Sequence, residues 1–143
     1  MPRFSVWGIR LALLYFLVGI TFGAILLVNK AFPLHPALWA LLPLHIDFLL
    51  IGWIVQLVFA VAYWIFPRFR SEPKRGRPQL AWAALAALNL SLALLAAASL
   101  ALEPAWQLPA RGLQVAAAGL LAASLWGRAK PTETGKALRD AAN

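Results

Sequence analysis

Between Pro43 and Arg68 an otherwise apolar run carries an imidazole, a carboxylate, an amide and a phenol, on His45, Asp47, Gln56 and Tyr63. At about 100° per residue of helix, Gly52, Gln56 and Tyr63 fall within about 20° of His45, so the four share one face. A surface turned to lipid does not carry such a stripe; it points into a bundle or at a bound group. His45 then reads either as a hydrogen-bonded bundle histidine or as an axial ligand to haem iron, which needs a neutral imidazole oriented by a neighbouring partner. Gly52, on the same face, would leave room for a macrocycle. Asp47 falls at about 200°, on the far face, and reads as a carboxylate paired with Lys30, Arg111 or a backbone donor, or as part of a proton path. His35 lies in the preceding connection and reads as a loop residue at solvent or head-group level. The chain has only two histidines and no cysteine. One copy therefore cannot complete a copper or non-haem iron centre, and disulfides and thiolate chemistry are excluded.

The elements that must position these groups follow from composition. Of the 143 residues, 62% are hydrophobic and 13% charged, too little polar surface to cover a soluble globule. The expected fold class is an all-α integral membrane protein, a four-helix transmembrane bundle over residues 1–130 followed by a short tail, 131–143. Four apolar runs supply the helices, at about residues 6–28, 44–66, 80–102 and 112–127, with 36–42 as an apolar lead-in to the second. The first three reach the roughly 20 residues that cross a bilayer core; the fourth is short and Ala-rich. Pro33 and Pro36, then Pro67, Pro73 and Pro78, then Pro104 and Pro109 break the connections. The first run lacks a small-x-small cleavage pattern and is expected to be a retained helix. Gly19 and Gly23 form a G-x-x-x-G, and Ala83, Ala87 and Ser91 repeat every four residues. Both patterns allow close backbone approach within the bundle.

The net charge of +8 is distributed by topology. Arg3, Arg10, Arg68, Arg70, Lys74, Arg75, Arg77, Arg128, Lys130, Lys136 and Arg139 fall on one side of four crossings, and Lys30 and Arg111 on the other. The positive-inside rule then places both termini in the cytoplasm, and the second helix enters from the outer side with His45 and Asp47 about one turn inside the boundary. The expected localisation is the inner (plasma) membrane, multi-pass, with the lipid bilayer as first partner and some attraction to anionic head groups. The charge lies between apolar runs and is not interleaved with aromatics, so nucleic acid is not an expected partner. Trp39, Trp106 and Trp126 fit aromatic belts at the two interfaces.

The string Leu44-His45-x-Asp47-x-Leu49-Leu50-x-Gly52-Trp53, followed by Ala60-x-Ala62-Tyr63-Trp64-x-x-Pro67-Arg68, resembles the second transmembrane helix of the catalytic subunit of haem-copper oxidases and nitric oxide reductases. The resemblance covers roughly residues 8–70. It implies that His45 ligates a low-spin haem b and that the helix belongs to an electron-transfer protein of a respiratory chain. The family's catalytic subunit has many more helices, which supply its second haem ligand and its active-site metal histidines. This chain lacks them, so it is not expected to be a complete oxidase or reductase. Where nitric oxide reductases have Asn two residues after the histidine, this chain has Asp47.

Three functions fit these residues. The first is a haem b-binding electron-transfer protein, with His45, Gly52, Gln56 and Tyr63 around the cofactor, Asp47 behind it or on a proton path, and a homodimer supplying His45 twice; the electron donor would be a quinol. The second is a haem-free accessory or assembly subunit of a larger respiratory complex, docking through the smooth Ala-rich helices. The third is a transporter component with Asp47 and Gln56 along a pathway.

Overall fold

In hydrocarbon every backbone N–H and C=O must be bonded within its own segment, which leaves an apolar run of this length the helix as its conformation. The computed structural model describes residues 1–67, 77–101 and 104–129. Helix α1 spans Arg3–Ala31, and a 3-10 turn at Pro36–Ala40 leads into α2, Leu41–Asp47. A π-helical segment, Phe48–Val55, continues without a break into α3, Gln56–Ile65. Helix α4 spans Pro78–Ala101, a second 3-10 turn covers Pro104–Trp106, and α5 spans Gln107–Trp126. Among the described residues, four helical stretches are long and apolar enough to cross a membrane: Arg3–Ala31, Pro36–Ile65, Pro78–Ala101 and Gln107–Trp126. The basic loop residues Arg68, Arg70, Lys74 and Arg75, with Pro73, and Lys130 with the tail 131–143 lie outside the described residues.

Two of these spans differ from the apolar runs for local reasons. The second begins at Pro36, because the lead-in residues wind as a 3-10 turn with Pro36 at its start, where the missing N–H is not needed. The fourth begins at Gln107 and reaches 20 residues. Pro109 is accommodated in its first turn, where backbone N–H groups have no partner inside the helix.

Contacts along the spans fix their directions. Phe4 meets Tyr63, Gly8 meets Ala60, and Gly19 meets Leu49, so α1 and the second span run antiparallel. Asp47 pairs with Arg111, and Arg128 reaches Pro67, so α5 runs parallel to the second span. The short connection between α4 and α5 makes them an antiparallel hairpin. The turn at Pro36–Ala40 and the start of α5 thus share one end of the bundle, and Met1, Pro67 and Trp126 share the other.

The buried core lies toward that second end, where Phe4, Phe59, Tyr63, Ala81, Leu85, Leu88, Leu121 and Leu125 form one cluster. Outward, Leu17, Leu27, Leu50, Val58, Leu90 and Val115 stand exposed, as side chains facing lipid do. Gly19 and Gly23 pack α1 against the second span: a Cβ on Gly19 would sit 2.7 Å from Leu49 Cδ2. The spacing of Ala83, Ala87 and Ser91 is a packing face only in part, since Ala87 packs half-buried against the core and Ser91 is buried. Ala83 is exposed, and α4 buries Ala81, Ala84, Leu88, Ser91, Leu95 and Ala98. That row follows steps of three and four, the periodicity of an antiparallel helix seam.

Candidate functional site

The His45 ring packs against α1 at Gly23. A Cβ there would stand 2.6 Å from its Cε1 and 2.9 Å from Nδ1, so glycine is what lets the imidazole approach. Nδ1 is 2.8 Å from the carbonyl oxygen of Gly19. A carbonyl only accepts, so Nδ1 carries the proton and donates it, and in the neutral imidazole the lone pair belongs to Nε2. His45 is half-buried and lines a groove of about 490 Å3 whose walls include Ile20, Ala24, Leu27, Leu42, Trp39 and Lys30. The sequence G-x-x-x-G of α1 therefore has a chemical consequence: Gly19 orients the ring and Gly23 makes room for it.

The rest of the stripe also faces α1 and is filled by side chains there. Gly52 receives the Tyr15 ring; a Cβ on Gly52 would lie 2.6 Å from Tyr15 Cγ and 2.8 Å from its Cβ. The space that a glycine would offer to a macrocycle is thus already filled. Gln56 is fully buried. Its Oε1 accepts from Asn89 Nδ2 at 3.0 Å, and its Nε2 stands 3.5 Å from the Gly8 carbonyl, long for a hydrogen bond. Asn89 also donates to Leu85 O at 2.8 Å. Two amides from different apolar helices thus meet across the bundle. Tyr63 is buried between Phe4, at a ring separation of 4.6 Å, and the Arg128 guanidinium, 5.1 Å from its ring centre. His45, by contrast, borders a groove.

Asp47 is buried and held by Arg111 from the start of α5 in a two-pronged pair, Nη1 to Oδ1 at 2.6 Å and Nη2 to Oδ2 at 2.9 Å. Of the three partners considered for it, Arg111 is the one in contact. Arg111 Nη1 also donates to Gln114 Oε1 at 3.1 Å. This fork ties the second span to α5 on the side away from His45, and both carboxylate oxygens are occupied by it. His35 is exposed, and its Nδ1 accepts from Ala37 N at 3.1 Å, capping the 3-10 turn.

Sequence reasoning missed three positions. Asn29, near the end of α1, is buried, and its Oδ1 accepts from the N–H groups of Leu34 and His35 at 3.0 Å each, folding the chain over toward the second span. Asn89 was hidden in a run of Ala and Leu, although a lone amide in one apolar helix implies a polar partner in another. Arg128, counted only as an inner-side charge, is buried and donates to the carbonyls of Pro67, Tyr63 and Phe66 at 2.9, 2.9 and 2.7 Å.

A haem iron would find one nitrogen here, His45 Nε2, with its ring already oriented by the bond that Nδ1 makes. Among the described residues no group of three His, Cys, Asp or Glu could hold a metal ion. Among the described residues His45 would be the donor to such an iron, and a second donor would have to be brought to it. No protein-family model, curated protein or solved structure matches this chain.

Proposed function

We propose that this protein is a membrane-embedded haem b-binding protein of electron transfer, with His45 as axial ligand and the haem seated in the groove beside α1 and α2, where two copies each present His45. The observation that carries the reading is the 2.8 Å bond from His45 Nδ1 to Gly19 O. It puts the proton of the neutral imidazole on Nδ1, which leaves the lone pair on Nε2, and holds the ring against Gly23, as metal-ligating histidines require. The groove opens at the surface of the bundle, so a flat ligand there has one face on this chain and the other toward a neighbour. A two-fold axis through the ligand would supply the second imidazole. When bound, the haem would contribute a one-electron couple, and this chain's own residues would bind and orient it. Gly52, Gln56 and Tyr63 hold the second span in place behind His45. In this reading both termini are cytoplasmic, the groove lies near the outer boundary of the inner membrane, and a quinol is the natural donor.

The second reading is a haem-free accessory or assembly subunit of a respiratory complex. Its support is the face of α5 bearing Gly112, Ala116, Gly119 and Ala123, all exposed, with nothing within 4 Å of a Cβ built at either glycine. Such a face suits close packing of another helix.

The deciding experiment is a reduced-minus-oxidised spectrum of protein purified in detergent under haem-replete conditions, with His45→Ala beside it. A b-type spectrum in the wild type, lost in the variant, at one haem per two chains, is the expected outcome. A colourless wild type that co-purifies with a larger complex would replace this reading with the second.

A further inference from the structure

The His45 groove does not end at its apolar walls. A smaller hollow of about 330 Å3 adjoins it, lined by Asn29, Lys30, Pro33, His35, Pro36 and Trp39, and Lys30 and Trp39 belong to both. The polar atoms around the hollow are largely committed to the turn: Asn29 Oδ1 accepts from Leu34 and His35, and His35 Nδ1 accepts from Ala37. Lys30 is different. The only side-chain carboxylate among the described residues is Asp47, and Arg111 holds both of its oxygens, so Lys30 has no carboxylate partner there. A cation at the mouth of an apolar groove is stabilised by an anion carried on whatever fills the groove.

We infer that Lys30 is the anion-holding end of the His45 groove and pairs with a propionate carboxylate of the haem. The inference rests on the haem reading above and adds an orientation to it. The propionate edge lies toward the turn before α2, and the apolar edge lies among Ile20, Ala24, Leu27 and Leu42. The complementarity is two-fold, because the groove offers a lone-pair nitrogen amid apolar walls and a positive charge at one end only.

The test is a Soret titration of apoprotein in detergent with haemin and with haemin dimethyl ester, which lacks the carboxylates, using wild type, Lys30→Gln, Lys30→Arg and His45→Ala. Lys30→Gln is expected to weaken haemin binding about tenfold or more, as loss of a charge-assisted bond does, while ester binding stays as in wild type. Lys30→Arg should restore haemin affinity. Equal weakening of both ligands by Lys30→Gln would show that only the lysine stem matters, and an unchanged haemin affinity would show that Lys30 faces lipid head groups; either result overturns the inference. So would competition by phosphatidylglycerol in nanodiscs that Lys30→Gln abolishes, since a lipid phosphate would then own the site. Failure of the wild type to bind both porphyrins is a separate result that overturns the haem reading itself.

Discussion

Adding one methyl group to each of two glycines separates packing from ligand orientation. At Gly52 the new Cβ meets Tyr15 Cγ and Cβ at 2.6 and 2.8 Å. Those atoms sit close to the backbone, so α1 must move, and Gly52→Ala should cost about 1–3 kcal/mol, read as a lower thermal midpoint in detergent. At Gly23 the Cβ meets the far end of a side chain, the His45 ring. The ring can swing away at the expense of its bond to Gly19, so Gly23→Ala should cost only about 1 kcal/mol of stability. On the proposed haem reading, affinity for haem should nonetheless fall about tenfold or more, because His45 loses the partner that orients it. Equal stability losses with unchanged affinity would remove the orienting role from Gly19 and Gly23. That His45, Gly52, Gln56 and Tyr63 all turn toward α1 agrees with their helical spacing, and the G-x-x-x-G announced a close approach. What filled each gap was not legible, since Tyr15 and Gly8 come from another helix and nothing in their own neighbourhood marks them as partners.

The π-helical segment, Phe48–Val55, separates the half-buried His45 from the fully buried Gln56. The Gln56 N–H reaches back five residues to Ile51 O. A wide turn of this kind accommodates one extra residue in an α-helix, worth about 100° of rotation, and it appears often at functional sites. Deleting Leu50, which is exposed, should let the segment relax to an α-helix while both flanks keep their faces. The expected result is a folded protein with a midpoint within a few degrees of wild type and, on the proposed haem reading, unchanged haem affinity. Deleting the equally exposed Val58 from α3 should rotate Tyr63 away from Phe4 and Arg128 and lower the midpoint sharply. If the two deletions behave alike, the segment carries no spare residue. No sequence signal could have shown it, because Phe48 to Val55 are apolar throughout and a shift of register is visible only where polar residues mark the phase. The helix ends were more legible, with proline confining each connection; Pro109 was the exception, since a first turn tolerates it.

Orientation is a property of the whole chain, and a sequence without cysteine allows a clean test of it. The bundle brings Ala37 and Gln107 to one end and Pro67 and Gly127 to the other. Single cysteines at Ala37 and Gln107 should react with an impermeant maleimide in intact cells, and those at Pro67 and Gly127 only after permeabilisation. The reverse pattern would invert the assignment, and labelling of Ala37 and Pro67 from the same side would remove the crossing between them. The four spans were readable from hydropathy because lipid leaves little freedom to an apolar run. How the spans lean on one another was not, because outside water apolar surface no longer decides which faces meet, and the deciding contacts are a few amides and ion pairs. The Arg128 clamp has a consequence in time as well as in space. In a membrane chain laid down from its N-terminus, the carbonyls of Tyr63, Phe66 and Pro67 emerge well before residue 128. In the folded bundle all three accept from the Arg128 side chain at the end of α5. The second span, which carries His45, is thus tied at its end by a residue that follows the fourth, so that end is secured only once α5 lies alongside α3.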